Sequence, residues 1–222
     1  MSPNPIPGFQ GDAPMQLVGL VLLGMSLASW FVILRKTAML ARAARRVPGA
    51  IAAFWAAASP TAACAAARAA DPGGPSAELA EACERLAASR GHAWQAPADH
   101  ARRELREALD RASRRLHAGH VLLASVGSTA PFVGLFGTVW GIEHALGAIA
   151  AAHHVGIDSV AGPVGEALIM TAAGLAVAIP AVLAYNALGK RARTLDARLE
   201  GFALDLHHLL GEPATAGAPD TP

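Results

Sequence analysis

The distribution of basic residues constrains this chain more than any motif does. All eighteen Lys and Arg residues fall either between Arg35 and Arg115 or between Lys190 and Arg198. None precedes Arg35, and none lies from Leu116 through Gly189. The stretches left without them are long and apolar. A helix crosses the hydrocarbon core of a bilayer, roughly 30 Å thick, with about 20 mostly apolar residues. Three segments satisfy that requirement, at residues 15–34, 120–150 and 162–188. Backbone groups inside a bilayer must find partners within the protein, which leaves helices and closed barrels as the spanning structures. Runs of this length select helices. The predicted fold is therefore an all-α membrane protein: three transmembrane helices with long cytoplasmic helical extensions.

Composition agrees, with 53% hydrophobic and only 16% charged residues, against about 25% charged in a typical soluble domain. The formal net charge of +1 offers no case for nucleic-acid binding. Lys and Arg near span ends favour the cytoplasmic side. That rule puts residues 1–14 in the periplasm and 35–119 inside as a helical region. Residues 151–161 then form a periplasmic loop, 189–211 a cytoplasmic helix and 212–222 a disordered tail. The first span reads as an uncleaved anchor, because no Lys or Arg precedes it and it ends in FVILRK rather than in a small-residue cleavage site.

The segment 35–119 is alanine-rich and breaks near Ser59-Pro60 and at Asp71-Pro72-Gly73-Gly74-Pro75. Its clearest helix, DHARRELREALDRASRRLHAGH, carries a predicted apolar stripe of Leu105, Leu109, Ala112 and Leu116. The pairs Glu107–Arg111 and Asp110–Arg114 stand at the i,i+4 spacing that supports a helix. A solvated helix packed on its neighbours is the plainer reading; a basic face on the membrane surface is the sharper one. Cys64 and Cys83, on the side assigned to the reducing cytoplasm, read as free thiols. No CxxC or paired Cys/His spacing suggests a metal site, and no cofactor is expected.

Within the membrane, Glu166 is the only charged residue in the thirty-one positions between Asp158 and Lys190. A charged side chain at bilayer depth costs roughly 2.5–3.5 kcal/mol on insertion scales, and such residues mark ion or proton paths by default. A carboxyl whose protonation responds to hydration is what a proton relay requires. The structural alternative is a permanently neutral carboxyl that only fixes packing. Gly134, Gly137 and Gly141 in the second span strip side chains from one helix surface, and Gly174 does the same in the third. Small residues let helices approach closely in lipid, so these glycines read as packing positions. Pro131 marks a kink or a helix start, its freed backbone groups satisfied by Ser128 or Thr129; Pro180 predicts a bend.

Thr138 and Thr171 are hydroxyls on otherwise apolar surfaces, and each can either bond its own helix backbone or line a pore. Thr171 lies five residues after Glu166, about 140° around the helix, so the two share no strict face. Glu143 sits at the outer edge of the second span. His144, His153 and His154 lie in or near the outer loop, where a metal is possible but incidental exposure is the plainer reading. No nucleophile–base pair or phosphate loop points to an enzyme, and three spans leave little room for a midplane carrier pocket.

At APFVGLFGTVWGI (130–142) and GPVGEALIMTAAGLAVAIPAVLAYN (162–186) the chain resembles the ExbB/TolQ/MotA family of proton-channel proteins. The order of one span, a helical region and a two-span hairpin extends the likeness over nearly the whole chain. The first motif looks more like the ExbB branch, whereas EALI and AYN look partly like TolQ. The resemblance implies a multi-pass protein of the bacterial inner membrane, forming a homo-oligomeric ring, a pentamer in the best-known cases. It implies an ExbD-like or TolR-like small membrane partner, and a TonB-like or TolA-like protein through which proton-motive force energises outer-membrane transport or envelope maintenance. By position it implies that Glu166 is the intramembrane glutamate and that Thr138 and Thr171 line the pore, with the principal proton-carrying aspartate on the small partner. Glu143 departs from the usual pattern, in which an apolar residue follows tryptophan-glycine-isoleucine. A non-conducting structural scaffold stays open beside these readings.

Overall fold

The computed structural model describes residues 13–90, 98–151 and 158–211. Six helices follow in order: α1 (Ala13–Trp55), α2 (Pro60–Ala70), α3 (Pro75–Arg90), α4 (Ala98–His117), α5 (His120–Ala151) and α6 (Asp158–Gly211). Every regular element among the described residues is helical, and three helical segments are long and apolar enough to cross a membrane. The expected periplasmic N-terminus up to residue 12, the His153-His154 pair and the tail from 212 lie outside the described residues.

Punctuation in the sequence explains most boundaries. Ser59 caps α2, its hydroxyl accepting from the Ala62 N–H at 3.3 Å, with Pro60 at the first helical position. Proline is tolerated there because the N–H it lacks has no helical partner anyway. Asp71 ends α2 and holds the start of α3, accepting from both the amide and the hydroxyl of Ser76. Gly73 and Gly119 adopt positive φ, 65° and 87°, the region open to glycine at little cost. Gly119 separates α4 from α5, and a Cβ there would come within 2.8 Å of Val32 Cγ1. Proline does not interrupt α5: the helix starts at His120, so Pro131 is internal rather than a helix start. The Ser128 and Thr129 hydroxyls both bond the Ser125 carbonyl, at 3.1 and 2.7 Å, and not the Gly127 carbonyl that Pro131 leaves free. The last helix runs unbroken through Pro180 and Gly201.

Contacts divide the chain into two units. The first takes residues up to Lys36 together with Gly119–Ala187. Its core joins Met15, Val18 and Leu22 of α1 to Val126 and Ala130 of α5 and to Met170, Ala178 and Ala181 of α6.

The second unit takes Thr37–Ala118 and the chain from Leu188. Buried residues of α1 here recur at steps of three and four, as Leu40, Ala43, Val47, Ala50 and Phe54. Those of α6 do the same, as Leu188, Ala192, Leu195, Leu199, Phe202 and Leu206. This seven-residue repeat is the seam of a helical bundle. Phe54 and Phe202 close it edge to face, centroids 5.1 Å apart. The α4 stripe is Ala101, Leu105, Ala108, Ala112 and Leu116. Ala108, not the expected Leu109, completes the stripe, and Leu109 is rotated to its half-buried edge. Of the two predicted ion pairs only Glu107–Arg111 forms, at 3.9 Å. His117 at the end of α4 meets Asp196 of α6 at 2.6 Å. Cys64 and Cys83 are free and buried. A hydrogen bond from Cys83 holds the Cys64 thiol below its ordinary pKa, outweighing the upward push of burial.

Apolar burial rather than surface charge should dominate this second unit. Phe202→Ala is expected to cost about 3–5 kcal/mol through the cavity it opens. Removing the exposed Arg68–Glu84 pair, 3.0 Å apart, by Arg68→Ala should cost at most about 1 kcal/mol. Thermal unfolding followed by circular dichroism in detergent would check the order; a larger shift for Arg68→Ala would contradict it.

Candidate functional site

Helices α5 and α6 meet through residues too small to keep them apart. On α5 the buried face reads Leu123, Val126, Gly127, Ala130, Gly134, Gly137, Thr138, Gly141 and Ala145. On α6 it reads Ala167, Met170, Gly174, Ala178 and Ala181. The closest approach is at Gly134 and Gly174. A Cβ on Gly134 would sit 2.5 Å from the Met170 carbonyl oxygen, and one on Gly174 would sit 2.6 Å from the Ala130 carbonyl oxygen. Both obstacles are backbone, so the helices would have to separate. Gly141 is closed by the Ala167 Cβ at 2.8 Å. Gly137 is tight against side chains alone, Met170 and Val18 at 3.0 Å. Pro180 is half-buried one residue before the packed Ala181.

This contact sets the two threonines against each other. Thr138 is 6% exposed and donates to the Leu135 carbonyl at 2.7 Å. Thr171, half-buried, donates to the Thr138 oxygen at 3.4 Å. The result is a short relay of hydroxyls across the helix interface, Thr171 to Thr138 to a main-chain carbonyl. Hydroxyls both donate and accept, but neither threonine changes charge at physiological pH. They can orient a proton or a water; they cannot supply the titratable step.

Glu166 can. It lies one residue before the packed Ala167 and is exposed, with no hydrogen bond or ion pair among the described residues. The α6 surface around it is apolar, Leu168 and Ile169 being 59% and 60% exposed. The structure thus joins two of the three expected pore residues and directs the third away from its own helix pair. Glu143 is exposed on α5. No group of three or more His, Cys, Asp or Glu side chains gathers among the described residues.

Sequence reasoning missed Gly127, Ala130, Ala167 and Met170 as members of this contact. Gly127, Gly134 and Gly141 recur every seven residues, a spacing that marks one helix face and was the available signal. Ala167 and Met170 carry no comparable mark, since alanine and methionine are common throughout apolar helices.

Residues 79–201 match the MotA/TolQ/ExbB proton channel family. The chain is similar to the biopolymer transport protein ExbB of Xanthomonas campestris pv. campestris, strain B100, 59% identical over 105 residues that cover 47% of this chain and 42% of the relative. It is similar to ExbB of Neisseria gonorrhoeae, 54% identical over 104 residues covering 47% of each chain. The Tol-Pal system protein TolQ of Pseudomonas aeruginosa is 44% identical over 108 residues, 49% of this chain and 47% of the relative. The chain spans less than half the length of these relatives.

The backbone clash predicts a strongly position-dependent response to one methyl group. Gly134→Ala should destabilise the first unit by about 1–3 kcal/mol or more, as forced overpacking does. Gly147→Ala, with nothing within 4 Å of the added atom, should be neutral. Equal thermal stability of the two variants in detergent would refute the close contact.

Proposed function

Since the chain belongs to the MotA/TolQ/ExbB proton channel family, we propose that it is the ExbB-type subunit of a proton-driven motor in the bacterial inner membrane. It is a membrane protein with three helical segments able to span the bilayer. In the proposed arrangement the N-terminus is periplasmic and the C-terminus cytoplasmic, following the basic residues that flank the spans.

The observation that carries the reading is the state of Glu166. Its own chain leaves the carboxyl uncovered on an apolar surface, where a charge facing lipid costs roughly 2.5–3.5 kcal/mol. The cost falls if further copies of the chain and the helices of a smaller partner cover that face and admit water to it. A homo-oligomeric ring, a pentamer as in the family's best-known cases, around ExbD-like helices meets the requirement. Glu166 then holds or polarises protons on their way through, with Thr138 and Thr171 keeping hydroxyls at the helix interface. Proton passage biases the partner's orientation, and a TonB-like protein carries that motion to outer-membrane transport. No covalent chemistry is needed.

The 59% and 54% identities to two ExbB-named relatives, against 44% to TolQ of Pseudomonas aeruginosa, favour this branch. A TolQ-like role with TolR-like and TolA-like partners in envelope maintenance is the second reading, supported by the 44% identity to a Tol-Pal protein.

The test is siderophore uptake driven by proton-motive force in cells lacking their own ExbB and TolQ, supplied with this chain and its partners. Wild type is expected to restore uptake, and an assembled Glu166→Gln variant to lose most of it. Equal uptake by both would demote the carboxyl to packing. Rescue of envelope integrity alone would favour the TolQ-like reading.

A further inference from the structure

A concavity lies wholly within the second unit and has no part in the membrane site. It encloses about 200 Å³ between the second half of α1, the turn joining α2 to α3, and the end of α4. Three arginines line it: Arg42 and Arg46, one helical turn apart on α1, and Arg115 on α4. Clustered like charges repel, so a cluster of this kind calls for a counter-charge.

The chain itself supplies little. Arg115 is held by Glu78 and by the Gly73 carbonyl at 2.9 Å. The Asp71 carboxylate is 2% exposed and committed to Ser76. Arg42 spends its Nε on the Ala38 carbonyl at 3.1 Å, and neither Arg42 nor Arg46 has a carboxylate partner among the described residues. The wall opposite is built to stay open. Gly73, at positive φ, has empty space where a Cβ would stand. The Asp71 carboxylate fills the place of a Gly74 Cβ, folding the turn tightly. Leu116 is fully buried and gives the concavity a firm apolar lining.

We propose that this concavity is an anion-binding site for a phosphate group, with Arg42 and Arg46 as the mobile ligands and Arg115 as the fixed one. Arginine suits the task because its planar fork matches phosphate oxygens two at a time. The volume admits one phosphate with a small substituent, so free phosphate, a small phosphomonoester and a phospholipid headgroup share the chemistry it would recognise.

The test uses full-length protein in nanodiscs. Binding of inorganic phosphate is measured by calorimetry in neutral phosphatidylcholine discs at fixed ionic strength. Retention of phosphatidylglycerol is measured by native mass spectrometry. Arg42→Ala/Arg46→Ala is compared with Arg102→Ala/Arg106→Ala, which removes the same charge from the exposed face of α4; circular dichroism confirms that both remain folded. Saturable phosphate binding, weakened about tenfold or more in the first variant and unchanged in the second, supports a site for soluble phosphate. The tenfold figure corresponds to losing about one charge-assisted hydrogen bond. Stoichiometric phosphatidylglycerol lost only in the first variant, without phosphate binding, supports the headgroup as the source. Binding of neither probe, or equal loss in both variants, would overturn the proposal and leave an ordinary solvated basic surface.

Discussion

Everything in the first unit depends on how near α5 and α6 can come, and that is decided by two hydrogen atoms. Gly134 and Gly174 each stand where any side chain would strike the other helix's main chain. In lipid no water is released when two apolar helices meet, so packing must hold them. Backbone-to-backbone approach maximises those contacts. It also fixes the register, since backbone meets backbone most closely where Gly134 faces Gly174. The Thr171–Thr138 bond, at 3.4 Å, follows from that register and would not survive a wider separation.

A division of labour between the two faces of α6 follows. One face is committed to α5 and carries the hydroxyl relay; the other carries Glu166 and is apolar around it. Had the carboxyl turned inward, it would have met a crowded wall with no room for water. Turned outward, its hydration is set by whatever covers that face. In the proposed ring, other chains would supply those surroundings. A side chain sealed inside its own subunit would lie beyond their reach.

How far the sequence disclosed this architecture varies with the physical signal. The three long apolar helices were legible because bilayer thickness imposes a length on such runs. The turns at Ser59-Pro60 and Asp71–Pro75 were legible because proline and glycine restrict the backbone directly. The bundle seams on α1 and α6 were not, although Leu40, Val47 and Phe54 stand seven residues apart. Their intervening seam positions are alanine in α1, and alanine also fills exposed faces of these helices, so the stripe lacks contrast. Low contrast also misplaced the α4 stripe, where hydrophobicity favoured Leu109 although Ala108 is the buried position. At the membrane site the residue types were visible but their pairing was not. Nothing in a one-dimensional pattern says that Thr171 turns toward Thr138 and Glu166 away from it.

The buried thiols have a use that neither helix pairing nor proton chemistry suggests. Cys64 on α2 and Cys83 on α3 are 1% and 0% exposed and hydrogen-bonded to each other. A thiol reacts with a reagent only when the reagent can reach it, and regions of a folded chain open at their own free-energy costs. The pair is therefore an internal clock for the α2–α3 hairpin. The pace at which an alkylating agent consumes these two sulfurs measures how often the hairpin comes apart.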